Sequence, residues 1–143
     1  MKVCFDTSAL VAALLQQHPQ HALAFTRLQA VKAGATQGYV TTHALAELFA
    51  TLTALPLKPR LLPADGERII RESVLPWFTV VPLRTGHYRE AIQRAAKQNL
   101  PSGAIYDVLH LVGARSVGCT TLYTLNLRHF RSVAPDDPVI ASP

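Results

Sequence analysis

The sequence predicts an α/β fold: a mostly parallel sheet of four or five strands with helices on both faces. Three observations predict it. Short strand-like runs alternate with longer runs of helical spacing from end to end; the 143 residues have the length of one domain, residues 1–143, with one core; and no repeat or low-complexity linker divides the chain.

Taken in order, "KVCF" (2–5) reads as a short buried strand, and "TSALVAALLQQ" behind it as a helix capped by Thr7 or Ser8. A second helix, roughly 20–33, follows Pro19 and ends at Gly34. "GYVTT" (38–42) gives the second strand, its threonines leading into the helix "HALAELFATLTAL". "LPLKPRLLP" (55–63) carries three prolines and is a loop. Pro63 opens a helix to about Leu75, with Asp65 and Glu67 in the first turn, where the helix dipole favours acids. "FTVVPL" is a third strand, 85–98 a long helix, and 102 to about 116 another that Gly118 closes. "CTTLYTL" supplies a fourth strand and "PVIA" a short fifth. In such sheets ligands lie at the carboxyl ends of the strands, near the point where strand order reverses.

Composition narrows the partners. A net charge of +5 and a pI near 9.6 point to a polyanion such as nucleic acid. Charged residues are 16% of the chain, below the usual quarter or so, as expected of a well-buried domain. Cys4 and Cys119 each lie in an apolar run and read as reduced core thiols of a cytoplasmic protein rather than a disulfide. Asp6 interrupts the first apolar run and no small-residue cleavage site follows Leu15, so no secretory signal is read there. No stretch has transmembrane length, so no membrane is expected.

The nine acids sort into two groups. Asp65, Glu67, Glu72 and Glu90 lie on arginine-rich helices, and Asp136 and Asp137 in a proline-flanked turn, all read as solvent-facing. Asp6 is the only charge between Lys2 and Arg27, Glu47 the only one between Lys32 and Lys58, and Asp107 the only one between Lys97 and Arg115. Each is a solitary carboxylate in a segment built for burial, and burying it unpaired is costly. A helix cap accounts for Asp6 as well as a functional role does. Capping does not reach Glu47 or Asp107, which are read a turn inside their helices.

Asp6 follows the first strand, Glu47 lies a turn into the helix after the second, Asp107 a turn into the helix before the fourth, and Asn126 just past the fourth. A sheet in which strands one, two and four are neighbours brings all four side chains to one rim. Converging carboxylates repel unless protons or a divalent cation neutralise them, and oxygen ligands select a hard ion, Mg2+ or Mn2+. Such an ion keeps open positions for a phosphate oxygen, polarises the phosphoryl group and acidifies a bound water that a spare carboxylate can orient. Phosphodiester hydrolysis is the chemistry this suits, with one ion or two.

"CFDTSALVA", "TTHALAEL" and "LPSGAIYDVLHLVGARSVGCTTLYTLNLRHF" resemble the PIN-domain ribonucleases, in particular the VapC-type toxins of bacterial toxin–antitoxin pairs, in order and spacing over nearly the whole chain. The resemblance implies a three-layer α/β/α sandwich and a Mg2+- or Mn2+-dependent endoribonuclease. It also implies that Asp6, Glu47 and Asp107 form the metal-binding acidic cluster. Asn126 stands where many relatives carry a fourth acid; it brings no charge for a second metal but can hold a water or a phosphate by hydrogen bonds. Thr7 or Ser8, and Thr124, match hydroxyls that steady the acids in relatives. A homodimer and a small cognate antitoxin covering the pocket are implied as well. "ALVAALLQQ" and "FATLTALPL" offer surfaces for them, or simply core.

The histidines carry a second metal arrangement. His43 with Glu47, and Asp107 with His110, each share a helix face, the pattern of dinuclear carboxylate-bridged sites in helix bundles, which leaves the strands and Asp6 without a role. His110 otherwise lines the rim or fills a buried hydrogen bond. His18, His21 and His87 read as surface positions, and His129 as an RNA contact or a turn cap. Lys58 and Arg60 beyond the Glu47 helix, and Arg128 and Arg131 after Asn126, flank the rim as RNA-phosphate contacts, with Arg68 and Arg71 as an extension or a solvated face. Trp77 and Phe78 read as core rather than as a base-stacking platform.

Other chemistries are excluded by missing residues. "FDTSAL" has no glycine for a dinucleotide turn, there is no Gly-Lys-Ser/Thr phosphate loop, and position 8 is Ser where a phosphoryl-aspartate hydrolase needs a second Asp. The remaining alternative is a non-catalytic PIN-like module that binds RNA or protein.

Overall fold

The computed structural model describes residues 1–143. Strand β1 (Lys2–Phe5) alternates its side chains, Val3 and Phe5 entering one core and Cys4 the other. Helices α1 (Thr7–Leu14) and α2 (His21–Lys32) follow, then β2 (Gln37–Thr41) and α3 (Thr42–Ala54). Next come α4 (Pro63–Ser73), β3 (Phe78–Val81), α5 (Thr85–Lys97) and α6 (Ala104–Ser116). The chain ends with β4 (Thr121–Tyr123), α7 (Leu127–Val133) and β5 (Ile140–Ala141).

The five strands form one sheet in the order β3-β2-β1-β4-β5, every neighbouring pair parallel. Cys4 of β1 stands opposite Tyr39 of β2 and Leu122 of β4. Apolar side chains of α1, α2 and α3 pack with Phe5, Val40 and Phe78 on one face. Those of α5, α6 and α7 pack with Cys4, Leu122 and Ile140 on the other, which completes three layers. Fully buried anchors such as Phe5 and Phe130 contribute about 1.5–3 kcal/mol each. Gly34 and Gly118 end α2 and α6 with φ +73°, a left-handed step that glycine takes without strain.

The architecture predicted from alternation is present, and it has five strands. Its differences from the sequence reading are local. Asp6, not Thr7 or Ser8, caps α1, because the residue before the helix has extended backbone and a carboxylate aimed at the Ala9 amide. Helix α6 begins at Ala104, so Asp107 lies in its first turn rather than deeper. Helix α4 stops at Ser73 and β4 holds only three residues. Helix α7 was not read from the sequence. Trp77 is 43% exposed, with the Lys32 ammonium 5.5 Å from its ring centre, while Phe78 is core. Asp137 is buried rather than solvent-facing, beside Arg115 at 3.4 Å and Arg94 at 4.0 Å. Cys4 and Cys119 are both free and buried. No helix is long and apolar enough to cross a membrane.

The chain runs outward from β1 to β2 and β3 and then crosses to β4 on the other side of β1. Strand order therefore reverses between β1 and β4. Asp6 leaves the carboxyl end of β1, and Thr124 and Asn126 leave that of β4, so all three stand at this crevice.

Candidate active site

Asp6 is 3% exposed. Its amide donates to the Tyr123 carbonyl at 3.1 Å, extending the β1–β4 pairing by one step. Its Oδ1 accepts from the Ala9 amide at 2.8 Å and the Ser8 hydroxyl at 2.7 Å. Burial pushes its carboxyl above the ordinary carboxylate range, against the opposing pull of His110, Thr124, Ala9 and Ser8.

Glu47 is placed by α3, whose first turn is fixed by Thr41 Oγ1 accepting from the Ala44 amide at 3.1 Å. The Thr7 hydroxyl donates to Glu47 Oε1, and His110 Nε2 lies 3.1 Å from the same oxygen. His43, one turn back on α3, brings its Nε2 to 3.3 Å from Oε2 without hydrogen-bond alignment, and that nitrogen is buried with no other partner. Burial raises the Glu47 carboxyl, but His110, Thr7 and His43 outweigh it and pull it down to about 2.

His110 is buried on α6, its Nδ1 3.3 Å from Thr41 Oγ1. Gly113, on the same helix, makes that approach possible, since a Cβ there would come within 2.6 Å of Thr41 Cγ2. Asp107 Oδ2 lies 2.6 Å from Nδ1 of His129 on α7. Burial raises the Asp107 carboxyl, Asp6 and Glu47 raise it further by repulsion, and His129 and His110 pull it back. Asp107 therefore senses the charge of the other two acids, and no Arg or Lys pairs with any member of the trio.

An open cleft of about 410 Å3 is lined by Asp6, Thr7, Ser8, Glu47, Asp107, His110 and Asn126, with Val11, His18, Thr51 and Leu125 around them. The sequence-derived acids, Asn126 and the hydroxyls of Thr7 and Ser8 thus share one cleft. Thr124 lies beneath it, its hydroxyl accepting from the Asn126 amide at 2.9 Å and 3.4 Å from that of Ser8. Asn126 is exposed at the start of α7.

The basic residues divide. Arg128 and His129 line a second cleft that shares Leu125 and Asn126 with the first. Lys58 and Arg60 are exposed on the loop between α3 and α4, outside the lining of either. Arg131 commits its guanidinium to the Asp137 and Ile140 carbonyls at 3.3 and 3.2 Å, clasping the last strand. Arg68 and Arg71 pair with Asp65 and Glu67 on α4. His21 is not a free surface group, since its Nδ1 meets the Ala12 carbonyl at 2.8 Å, and His87 Nδ1 accepts from the Arg84 amide at the start of α5. Two contacts went unread in the sequence, His110 to Glu47 across 63 positions and His129 to Asp107.

The oxygen donors suit a hard divalent ion: three carboxylates reach one solvent-open cleft, and the contacts of Asp6 and Asp107 each use a single oxygen. The donor atoms that all lie within 4.8 Å of one another belong to a different set, His43, Glu47 and His110.

The PIN domain family matches residues 3–135 of this chain. The chain belongs to that family. Ribonuclease VapC27 of Mycobacterium tuberculosis is 34% identical to this PIN domain over 110 residues, 76% of this chain and 74% of its own length. Among solved structures, VapBC2 of Rickettsia felis bound to a promoter DNA fragment shares the PIN fold with a TM-score of 0.69 at 17% identity, over 100% of this chain and 99% of the other. The sarcin-ricin loop cleaving toxin VapC20 of Mycobacterium tuberculosis matches with a TM-score of 0.65 at 19% identity, over 84% and 86%.

Proposed function

We propose that this PIN domain is the endoribonuclease toxin of a toxin–antitoxin pair, cleaving RNA phosphodiester bonds with Mg2+ or Mn2+ held by Asp6, Glu47 and Asp107. The observation that carries the reading is one cleft at the reversal of strand order, containing three carboxylates, none of them neutralised by Arg or Lys. The 34% identity to a ribonuclease supports it.

A bound ion supplies Lewis-acid polarisation of the phosphoryl group and an acidified water. The chain's own groups do the rest. Ser8 and Ala9 fix the Asp6 carboxylate, and Thr7 and His110 fix that of Glu47, so neither reorganises when substrate arrives. His129 orients Asp107. The Asn126 side chain, at the rim, holds a water or a phosphate oxygen, and Arg128 beside it draws in the RNA backbone without reading its bases.

The partners of this reading are an RNA substrate, a small cognate antitoxin over the cleft, as the antitoxin-bound structures among the solved neighbours suggest, and a second copy of the chain in a homodimer. A cytoplasmic location follows from such a substrate. The test is sequencing of RNA 5′ ends after brief induction, alongside Mg2+-dependent cleavage by the purified protein. New ends from the wild type that vanish in Asp6→Asn support the reading; equally intact RNA with both proteins overturns it and leaves the binding module.

A further inference from the structure

Glu47 faces two imidazoles, His110, which steadies it in the hydrolytic scheme, and His43, to which that scheme gives no role. We propose that His43, Glu47 and His110 form a site for a zinc-class divalent ion, and that such an ion, by taking Glu47 from the neighbouring acid cluster, switches cleavage off. The binding half stands on geometry alone; the regulatory half rests on the function proposed above.

The donor chemistry separates the two sites. Imidazole nitrogen suits zinc and its neighbours in the transition series, whereas Mg2+ prefers oxygen throughout. Two histidines and a glutamate, with a fourth position left to water, is an established zinc ligand set. Tetrahedral zinc with bonds of about 2.0–2.1 Å holds its ligand atoms roughly 3.3–3.4 Å apart. Here His43 Nε2 is 3.3 Å from Glu47 Oε2, which matches one such edge, and His110 Nε2 is 3.1 Å from the other oxygen, Oε1; one donor atom from each of the three residues lies within 4.8 Å of the others.

A second observation is independent of these distances. His43 Nε2 is buried and makes no hydrogen bond, although it points at the cluster. A nitrogen shielded from water, with Glu47 Oε2 at 3.3 Å but no aligned hydrogen bond, is disfavoured, and coordination relieves it. Both rings are also held in place: His43 stacks on Tyr106 at 5.0 Å with planes 10° apart, and Thr41 Oγ1 sits 3.3 Å from His110 Nδ1. Such outer contacts are what orient metal-binding imidazoles. His43 and Glu47 come from α3 and His110 from α6, so the ion would bridge the two helices that place Glu47 and Asp107.

The experiment titrates the chelator-stripped full chain with Co2+, a visible reporter of zinc sites, and then with Zn2+. The expected result is one equivalent of Co2+ absorbing in the visible, displaced by Zn2+, retained in Asp107→Asn and bound about 100-fold more weakly in His43→Gln, with far-ultraviolet circular dichroism confirming that both variants are folded. His43→Ala repeats the test if the Gln amide itself coordinates. Binding that survives both His43 substitutions but is lost in Asp107→Asn overturns the proposal in favour of the acid cluster, and absence of any Co2+ spectrum overturns it outright. Equimolar Zn2+ should abolish Mg2+-dependent cleavage by the wild type; undiminished cleavage with the site filled removes the regulatory half. Cleavage with Mg2+ in the absence of Zn2+ reports on the hydrolytic reading separately.

Discussion

His129 Nδ1 lies 2.6 Å from Asp107 Oδ2, joining α7 to α6 beside the cleft. Because His129 is about half exposed, the pair adds little to folding, but it decides where the Asp107 carboxylate points. His129→Ala is expected to reduce Mn2+-dependent cleavage by roughly 10–100-fold while shifting the unfolding free energy by less than about 1 kcal/mol. Parallel cleavage assays and denaturant melts check it. A variant that keeps full activity removes His129 from any positioning role.

Asp6 both caps α1 and contributes to the cluster, and two substitutions separate those roles. Asp6→Asn keeps an oxygen for the Ala9 amide and removes the charge, so activity should fall at least about 100-fold with stability unchanged or improved. Asp6→Ala loses the cap too and should cost about 1 kcal/mol in addition. Melting curves of the two proteins measure the difference, and equal stabilities would show that the cap contributes nothing.

The acids titrate with opposite signs. Glu47 is held at about 2 against an ordinary 4.5, so the stability it contributes is present above pH 4.5 and is lost as pH falls toward 2. Asp107 is raised, so the folded state binds its proton more tightly than the unfolded chain does. Its ionised form therefore destabilises at neutral pH, and that effect fades as pH falls through its folded pKa. In chelator, Asp107→Asn should accordingly be more stable than wild type near neutrality, the advantage shrinking with acidification. Millimolar Mn2+ at neutral pH should raise the wild-type melting temperature and leave the variant little changed. Thermal melts across pH with and without Mn2+ test both statements; an advantage that grows on acidification reverses the sign assigned to Asp107.

What the sequence made legible was whatever repeats locally. Strand and helix alternation gave the layers, and the absence of other charges around Asp6, Glu47 and Asp107 marked them before any geometry was known. His43 and Glu47, four apart on α3, could be paired by helical spacing. His110 and Glu47 could not, because their contact spans 63 positions and depends on α6 closing against Thr41 at Gly113. Helix α7 escaped notice because it is only seven residues long and has no side-chain cap. Asp137 was misread because its neighbours in sequence are a proline and another acid, while its arginines come from α5 and α6.

Asp137 thereby becomes a control that separates fold from chemistry. Its Oδ1 accepts from the Val139 amide at 3.1 Å, its Oδ2 is buried without a hydrogen bond, and the arginines face it at 3.4 and 4.0 Å. The carboxylate holds the turn that carries the chain from α7 into β5, at the opposite end of β4 from the cleft. Asp137→Ala removes a charged acceptor and leaves Arg94, three-quarters buried, without its carboxylate, which should cost about 2 kcal/mol. Since the residue touches none of the groups lining the cleft, the cleavage rate well below the melting temperature should match that of the wild type. Equilibrium denaturation and a low-temperature cleavage assay on the same preparation give both numbers. A folded Asp137→Ala protein that cleaves slowly would mean that the turn before β5 transmits to the cleft through α7, and with it to His129.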